Sequence, residues 1–310
     1  MRGAIEVMKK AFIQLSNGQA VVPLRTRLDM PTRKGAALFM PVFLEGEACF
    51  GVKTVSLFKD NPAQGLPLIH AIVTVFEAQN GKPIALLNGE KLTALRTGAA
   101  SGLATDLLAN HDANIVAIFG AGVQGRAQLE AICSVRQIQQ AYIFDLDPVK
   151  ADTFAREMSS SLHLPVTIPT SLELLRQADI ICTATTSSVP VFEHVYLKPG
   201  VHINAVGSYR PGEREIPSET VAQAKVIVDQ RTACLTEAGD LVIPIQQGLI
   251  SSSHIYAEIG EIASGKLPGR TSQGEFTLFK SVGNAVQDLA AAHQIIHNAE
   301  KLGLGNLIEL

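Results

Sequence analysis

The sequence lacks a surplus of charge of either sign. Twenty-six Lys and Arg stand against 29 Asp and Glu, a formal net charge of -3 over 310 residues. That leaves no basic field for nucleic acid or anionic lipid, and no run of like charges marks an interaction tail. Cysteine is also scarce. The four residues Cys49, Cys133, Cys182 and Cys234 form no CxxC pair and no Cys/His cluster, which fits reduced thiols in a cytoplasmic protein and gives no metal site. A long apolar run is missing at the start, where MRGAIEVMKKAFIQL reads as an amphipathic helix, without a signal peptide or membrane span. With 46% apolar and 18% charged residues the chain is globular, and its length favours two domains over one.

What is present is a change of pattern near residue 111. Beyond it, short apolar runs alternate with amphipathic stretches: NIVAIFG, AYIFD, VTI, DIICTAT, VHINAVG and AKVIVD read as six strands with helices between them. This predicts an α/β fold with a Rossmann-type doubly wound parallel sheet over residues 111–283. Residues 1–110 read instead as strands joined by the short turns EGE and NGK, followed by a helix over TALRTGAASGLATDLLA. FKSVGNAVQDLAAAHQIIHNAEKLG reads as one long amphipathic helix with no strand after it. The expectation is therefore a discontinuous α+β domain made of 1–110 and 284–310.

IVAIFGAGVQG, residues 115–125, carries a G-x-G-x-x-G turn in the context a dinucleotide needs. Gly120, Gly122 and Gly125 follow an apolar strand and open a helix. Gly120 permits the sharp turn, Gly122 lets backbone approach a pyrophosphate, and Gly125 allows close packing of helix on strand. Asp145 ends the second strand, twenty residues beyond Gly125. Its carboxylate suits the ribose hydroxyls of NAD(H) and repels the 2′-phosphate of NADP(H), a repulsion that Arg126 is placed to offset in part. The plain reading of Asp145 is a strand-end turn.

Among the polar residues of the first domain, Lys53 in FGVKTVSLF, Arg96 in LTALRTGAAS and Arg27 ahead of LDMPTRKG stand out. Each alone reads as structural or as a surface residue. Their contexts change that. GVKTVSLFKDNPAQGLP, NGEKLTALRTGAASGLATDLLA, the glycine turn with FDLDPVKADTFA, VHINAVGSYRPGEREIP and FKSVGNAVQDLAAA occur in this order. Together they resemble the ornithine cyclodeaminase/mu-crystallin family over nearly the whole chain.

The resemblance implies a homodimer whose subunits pair a substrate-binding and dimerisation domain with a Rossmann domain. It implies that Arg27 and Arg96 hold a substrate carboxylate, with Lys53 as the catalytic residue beside the reacting carbon and nitrogen. Val123 and Gln124 would lie against the pyrophosphate, Thr185 and Val206 beside the cofactor, and Ser281 and Val282 near nicotinamide and substrate. Asp288, in the terminal helix, stays open between a structural and a functional reading. One turn departs from the pattern. Where cyclodeaminases and archaeal alanine dehydrogenases place an aspartate, this chain reads Gly207-Ser208-Tyr209-Arg210-Pro211. Tyr209 is neutral at neutral pH and cannot replace a carboxylate that pairs with an amine.

The turn is closer to that of the ketimine and pyrroline-2-carboxylate reductases. The expectation is an NAD(P)H-dependent reductase of a cyclic imino acid, 1-pyrroline-2-carboxylate first and its six-membered homologue next. Two alternatives stay open. One is an ornithine cyclodeaminase or amino-acid dehydrogenase with its acid relocated to Glu213 or Glu215. The other is a ligand-binding protein of the mu-crystallin kind without catalysis.

Overall fold

The computed structural model describes residues 1–309, apart from the side chain of Pro62. Two compact units emerge, one of residues 17–96 and 284–310, the other of residues 1–16 and 97–283. The boundary expected at residue 110 thus falls at Arg96, inside a helix, and the N-terminal segment belongs with the parallel sheet. That segment is helix α1 (Arg2–Ser16), whose buried Ile5, Met8, Ala11 and Phe12 recur at helical spacing. It packs on the later helices of its own unit.

The first unit is an antiparallel sheet of β1 (Ala20–Val21), β2 (Thr26–Met30), β3 (Gly35–Leu44), β4 (Cys49–Phe58), β5 (Ile69–Glu77) and β6 (Pro83–Asn88). Burial alternates along β3, where Ala36, Leu38, Met40, Val42 and Leu44 turn inward. On β4 the inward set is Cys49, Gly51 and Lys53, so an ammonium occupies a core position. Helix α2 (Gly89–Leu108) leaves this sheet and crosses into the second unit. It begins four residues before the expected start because the Asn88 side chain accepts the amides of Glu90 and Lys91.

The second unit holds eight parallel strands: β7 (Ile115–Phe119), β8 (Gln140–Phe144), β9 (Val166–Thr167), β10 (Ile180–Thr183), β11 (His202–Ala205), β12 (Lys225–Val228), β13 (Ile255–Glu258) and β14 (Thr277–Lys280). Their order is β13-β12-β14-β11-β10-β7-β8-β9. Helices α3 (Val123–Val135), α4 (Pro148–Leu162), α5 (Ser218–Gln223), α6 (Arg231–Glu237), α7 (Gly239–Gln246) and α8 (Ile259–Ala263) connect them. Two strands were not expected from the sequence. β13 is four residues long, and β14 runs into the start of the stretch read as helix, which opens at Phe279. Helix α9 (Ala285–Leu302) begins only after it, where Asn284 and Gln287 form a capping box. α9 returns to the first unit and packs across β3, β4 and β5. Gly51 makes that close approach possible, because a Cβ there would sit 2.8 Å from the Thr74 carbonyl oxygen and 3.1 Å from Leu289.

No helix among the described residues is long and apolar enough to cross a membrane.

Candidate active site

In the antiparallel unit, α9 brings Asp288 down onto Lys53. The Lys53 ammonium lies 2.7 Å from one carboxylate oxygen of Asp288, and Arg96 Nε lies 3.0 Å from the other. Arg96 Nη1 also donates to Gln287 Oε1 at 2.6 Å. Lys53, Arg96, Gln287 and Asp288 are all buried. With Lys53 protonated, two cations face one carboxylate, so the cluster carries one unmatched positive charge in a place shielded from water. Removing that proton is the cheapest relief. Burial, reinforced by Arg96, lowers the Lys53 pKa from 10.5 to about 7, although Asp288 acts in the opposite direction. Such a group matches an anionic ligand and exchanges a proton near neutral pH.

Lys53 and Arg96 thus meet at Asp288. Arg27 is not part of the cluster. It is exposed on β2, and its guanidinium pairs with Asp29 at 2.8 Å. Arg25 is half-buried and acts on Lys53 electrostatically. Sequence reasoning missed it, and the signal was parity. Arg25 and Arg27 are two apart and so share one side of an extended segment, yet only Arg25 is partly buried there.

In the parallel unit, the glycine turn has the features set by its sequence. Gly120 has φ of +102°, and a Cβ there would meet the Ala184 carbonyl oxygen at 2.5 Å. A Cβ on Gly125 would collide with the Gly120 carbonyl oxygen. Gly122 differs from both, because the space beside it is open. It caps α3 without any side chain taking the first-turn amides, and Gln124 Oε1 is enclosed without a partner. Val123 is exposed beside it. Uncapped amides, a helix dipole and open room beside a glycine fit an anionic group of pyrophosphate size.

Asp145 holds this turn from the next strand. Its two oxygens accept Ala121 N at 2.7 Å and Asp147 N at 2.9 Å. Arg126 grips the other end of the same residue, donating to the Ala121 carbonyl oxygen at 2.5 Å. Arg126 is also paired with Glu157 at 2.6 Å, so its charge is already matched. Thr185, Val206, Ser281 and Val282 all follow the carboxyl ends of their strands, β10, β11 and β14. β7 and β10 are neighbours whose connections run to opposite sides, which is where open parallel sheets bind ligands. Val282, expected at the substrate, groups with this unit. The Ser281 hydroxyl is committed to Asp229 at 2.7 Å, and that carboxylate also takes the amides of Val282 and Gly283.

Glu213 and Glu215, the candidates for a relocated acid, are both already engaged. Glu213 pairs with Arg210 at 3.0 Å, and the Arg210 guanidinium lies over the Tyr209 ring. Glu215 is wholly enclosed and accepts bonds from the loops around it. Neither supplies a free carboxylate at the Tyr209 turn.

The model of the ornithine cyclodeaminase/mu-crystallin family matches residues 1–303. The chain belongs to that family. A Delta(1)-pyrroline-2-carboxylate reductase of Bacillus cereus is 41% identical over 311 residues, spanning 100% of this chain and 95% of its own. The structure of a Delta(1)-pyrroline-2-carboxylate reductase of Thermococcus litoralis, in complex with NADH and L-proline, matches with a TM-score of 0.96 at 42% identity. It covers 99% of this chain and 96% of that one. An archaeal alanine dehydrogenase dimer with bound NAD gives 0.93 at 30% identity, over 99% and 94%.

Proposed function

We propose that the protein is an NAD(P)H-dependent reductase of cyclic ketimine carboxylates, converting 1-pyrroline-2-carboxylate to L-proline. The same chemistry extends to 1-piperideine-2-carboxylate and L-pipecolate. The observation that carries the proposal is the buried cluster of Lys53, Arg96 and Asp288, with one positive charge left for a ligand carboxylate. The reductases that share about two-fifths of the sequence along its full length support the same reading.

A nicotinamide cofactor, when bound, would supply the hydride that the imine carbon accepts. The chain's own residues do the rest. Arg96 grips the substrate carboxylate through its planar fork, and Arg25 takes the second position in place of Arg27. Lys53 carries the proton that makes the imine nitrogen cationic, and thereby makes the adjacent carbon the better hydride acceptor. Asp288 keeps both cations in place. Fixing the carboxylate fixes the orientation of the imine, so most of the protein's part in catalysis is positioning and charge.

The Gly120–Gly125 turn would hold the dinucleotide, with Val123 and Gln124 offered to the pyrophosphate and Asp145 to the adenosine ribose. Thr185, Val206 and Ser281 line the rest of its path. Asp145, with Arg126 already matched by Glu157, favours NADH over NADPH.

A homodimer and a cytoplasmic setting belong to the same proposal. The outward face of the antiparallel sheet exposes Leu28, Phe39, Ile72 and Leu86, an apolar surface that a second copy would cover. Sedimentation at micromolar concentration tests this, and a monomer contradicts it. The four cysteines are free, as a reducing compartment would keep them. The activity itself is tested by incubating the protein with NADH and 1-pyrroline-2-carboxylate and resolving the product on a chiral column. L-Proline is expected. Saturable NADH binding without any product would favour a ligand-binding protein.

A further inference from the structure

Three ionisable side chains are fully enclosed in series at the carboxyl edge of the parallel sheet: Glu215, Asp240 and Lys280. Lys280, the last residue of β14, has its ammonium 2.8 Å from Asp240 Oδ2 and donates to the Ser208 carbonyl oxygen at 2.6 Å. Asp240 Oδ1 in turn accepts the amides of Glu215 at 2.7 Å and Ile216 at 2.9 Å. Glu215 reaches the loops. One of its oxygens accepts the amide and hydroxyl of Thr185, each at 2.7 Å. The other accepts Thr183 Oγ1 at 2.9 Å, Gly207 N at 2.8 Å and Ser208 N at 3.2 Å. A Cβ on Gly207 would collide with this carboxylate, so the turn is moulded around it.

Only an ionised carboxylate receives all these donors well, yet burial and the neighbouring Asp240 push the Glu215 carboxyl up, with Lys280 pulling it back. Burial acts against the Lys280 ammonium too, but Asp240 and Glu215 outweigh it and raise its pKa. The other ionisable neighbours do not replace it. Cys182 is held as a neutral thiol by burial and by Glu215, and Cys234 by burial and by Asp229. Asp229 is spent on residues 281–283.

We propose that Lys280 is a positioning residue: its ammonium keeps Glu215 and Asp240 ionised side by side, and so holds the Thr185 loop and the Gly207–Tyr209 turn ready for the dinucleotide. The proposal rests on the assignment of a nicotinamide cofactor to this unit and needs no particular substrate.

The test is the NADH dissociation constant, read from NADH fluorescence across the neutral pH range, for three folded proteins: wild type, Lys280→Met and Lys280→Met/Asp240→Asn. Wild-type affinity stays flat. Lys280→Met binds about tenfold or more weakly at the acidic end, the size of one lost hydrogen bond to a charged group, and recovers as pH rises and Glu215 ionises. The double variant moves that recovery back to lower pH, because the repelling carboxylate has gone while an acceptor for the Glu215 and Ile216 amides remains. A uniform loss at every pH, or no loss, overturns the proposal. Should Lys280→Met not fold, Glu215→Gln decides instead, since it keeps the volume but sets an amide group against the Thr185 and Gly207 donors. Its NADH affinity should fall about tenfold at all pH values, and unchanged binding would overturn the proposal. Imine reduction is scored separately, so wild-type protein that binds NADH but reduces no imine counts against the reductase reading alone.

Discussion

The ammonium of Lys53 lies 2.7 Å from a carboxylate oxygen of Asp288, and both side chains are out of water. Two consequences follow from that one contact, one for stability and one for proton exchange. Asp288→Asn would leave Lys53 and Arg96 buried without a counter-charge. Removing one partner from a buried pair costs about 3–5 kcal/mol. Urea denaturation should show a loss in that range, partly relieved at higher pH as Lys53 deprotonates. An Asn variant as stable as wild type at neutral pH would show that the cluster is not electrostatically coupled.

The proton carried by Lys53 sets the pH profile. Its pKa is lowered from 10.5 to about 7, chiefly by burial, so the ammonium is present below that value and lost above it. The value of kcat/KM for the imine should therefore hold below neutrality and fall as pH rises through about 7. Lys53→Met should remove this limb and lower kcat by roughly 10²–10⁴-fold, the range for a general acid. A limb that persists unchanged in the Met variant belongs to another group.

The two arginines of the β2 segment should separate cleanly. Arg25→Ala should raise the KM for the imine by an amount equivalent to about 1.5–3 kcal/mol, as for a hydrogen bond to a charged group, with NADH affinity unaltered. Arg27→Ala breaks only an exposed pair with Asp29 and should stay within about 1 kcal/mol of wild type. The reverse ranking would restore Arg27 to the site.

How much of this was legible in the sequence depended on whether a feature is local. The glycine turn, Asp145 and the strands on either side were readable because strand, turn and helix signals sit within about thirty residues. Lys53 alone reads as a structural or surface residue in FGVKTVSLF, and only the order of the motifs around it singled it out. Asp288 was not legible, because a helix pattern does not say which residue will land on which strand, and Gly51 makes that choice through close packing. β14 was missed for a related reason. The apolar spacing of FKSVGNAVQDL runs on from the strand into α9, and only the Asn284 cap marks the break. Glu215 looked like a free acid in a polar loop. Its enclosure depends on Thr183 and Thr185, 32 and 30 residues away, as well as on the nearby Gly207, and these meet at the sheet edge.

Cofactor choice tests the other half of the molecule. Asp145→Ser should weaken NADH and improve NADPH relative to it, because the repelling carboxylate is removed while Asp147 still caps α4. Glutamate 157 keeps Arg126 matched, so the gain for NADPH should grow when Glu157→Gln is added. A wild-type preference for NADPH that neither change moves would contradict the role given to Asp145.

The central claim is imine reduction at a site with no free acid at the Tyr209 turn, and one side-by-side assay tests it most directly. Wild-type protein is given NADH with 1-pyrroline-2-carboxylate, and separately NAD⁺ with L-ornithine, while NADH absorbance, proline and ammonia are followed. Cyclodeamination begins by taking a proton from an amine, which needs a base at that turn; reduction needs only a carbon ready for hydride. The account predicts rapid NADH oxidation with proline formed in the first mixture and no ammonia in the second. Ammonia and proline from ornithine, at a rate matching the imine reduction, would contradict it.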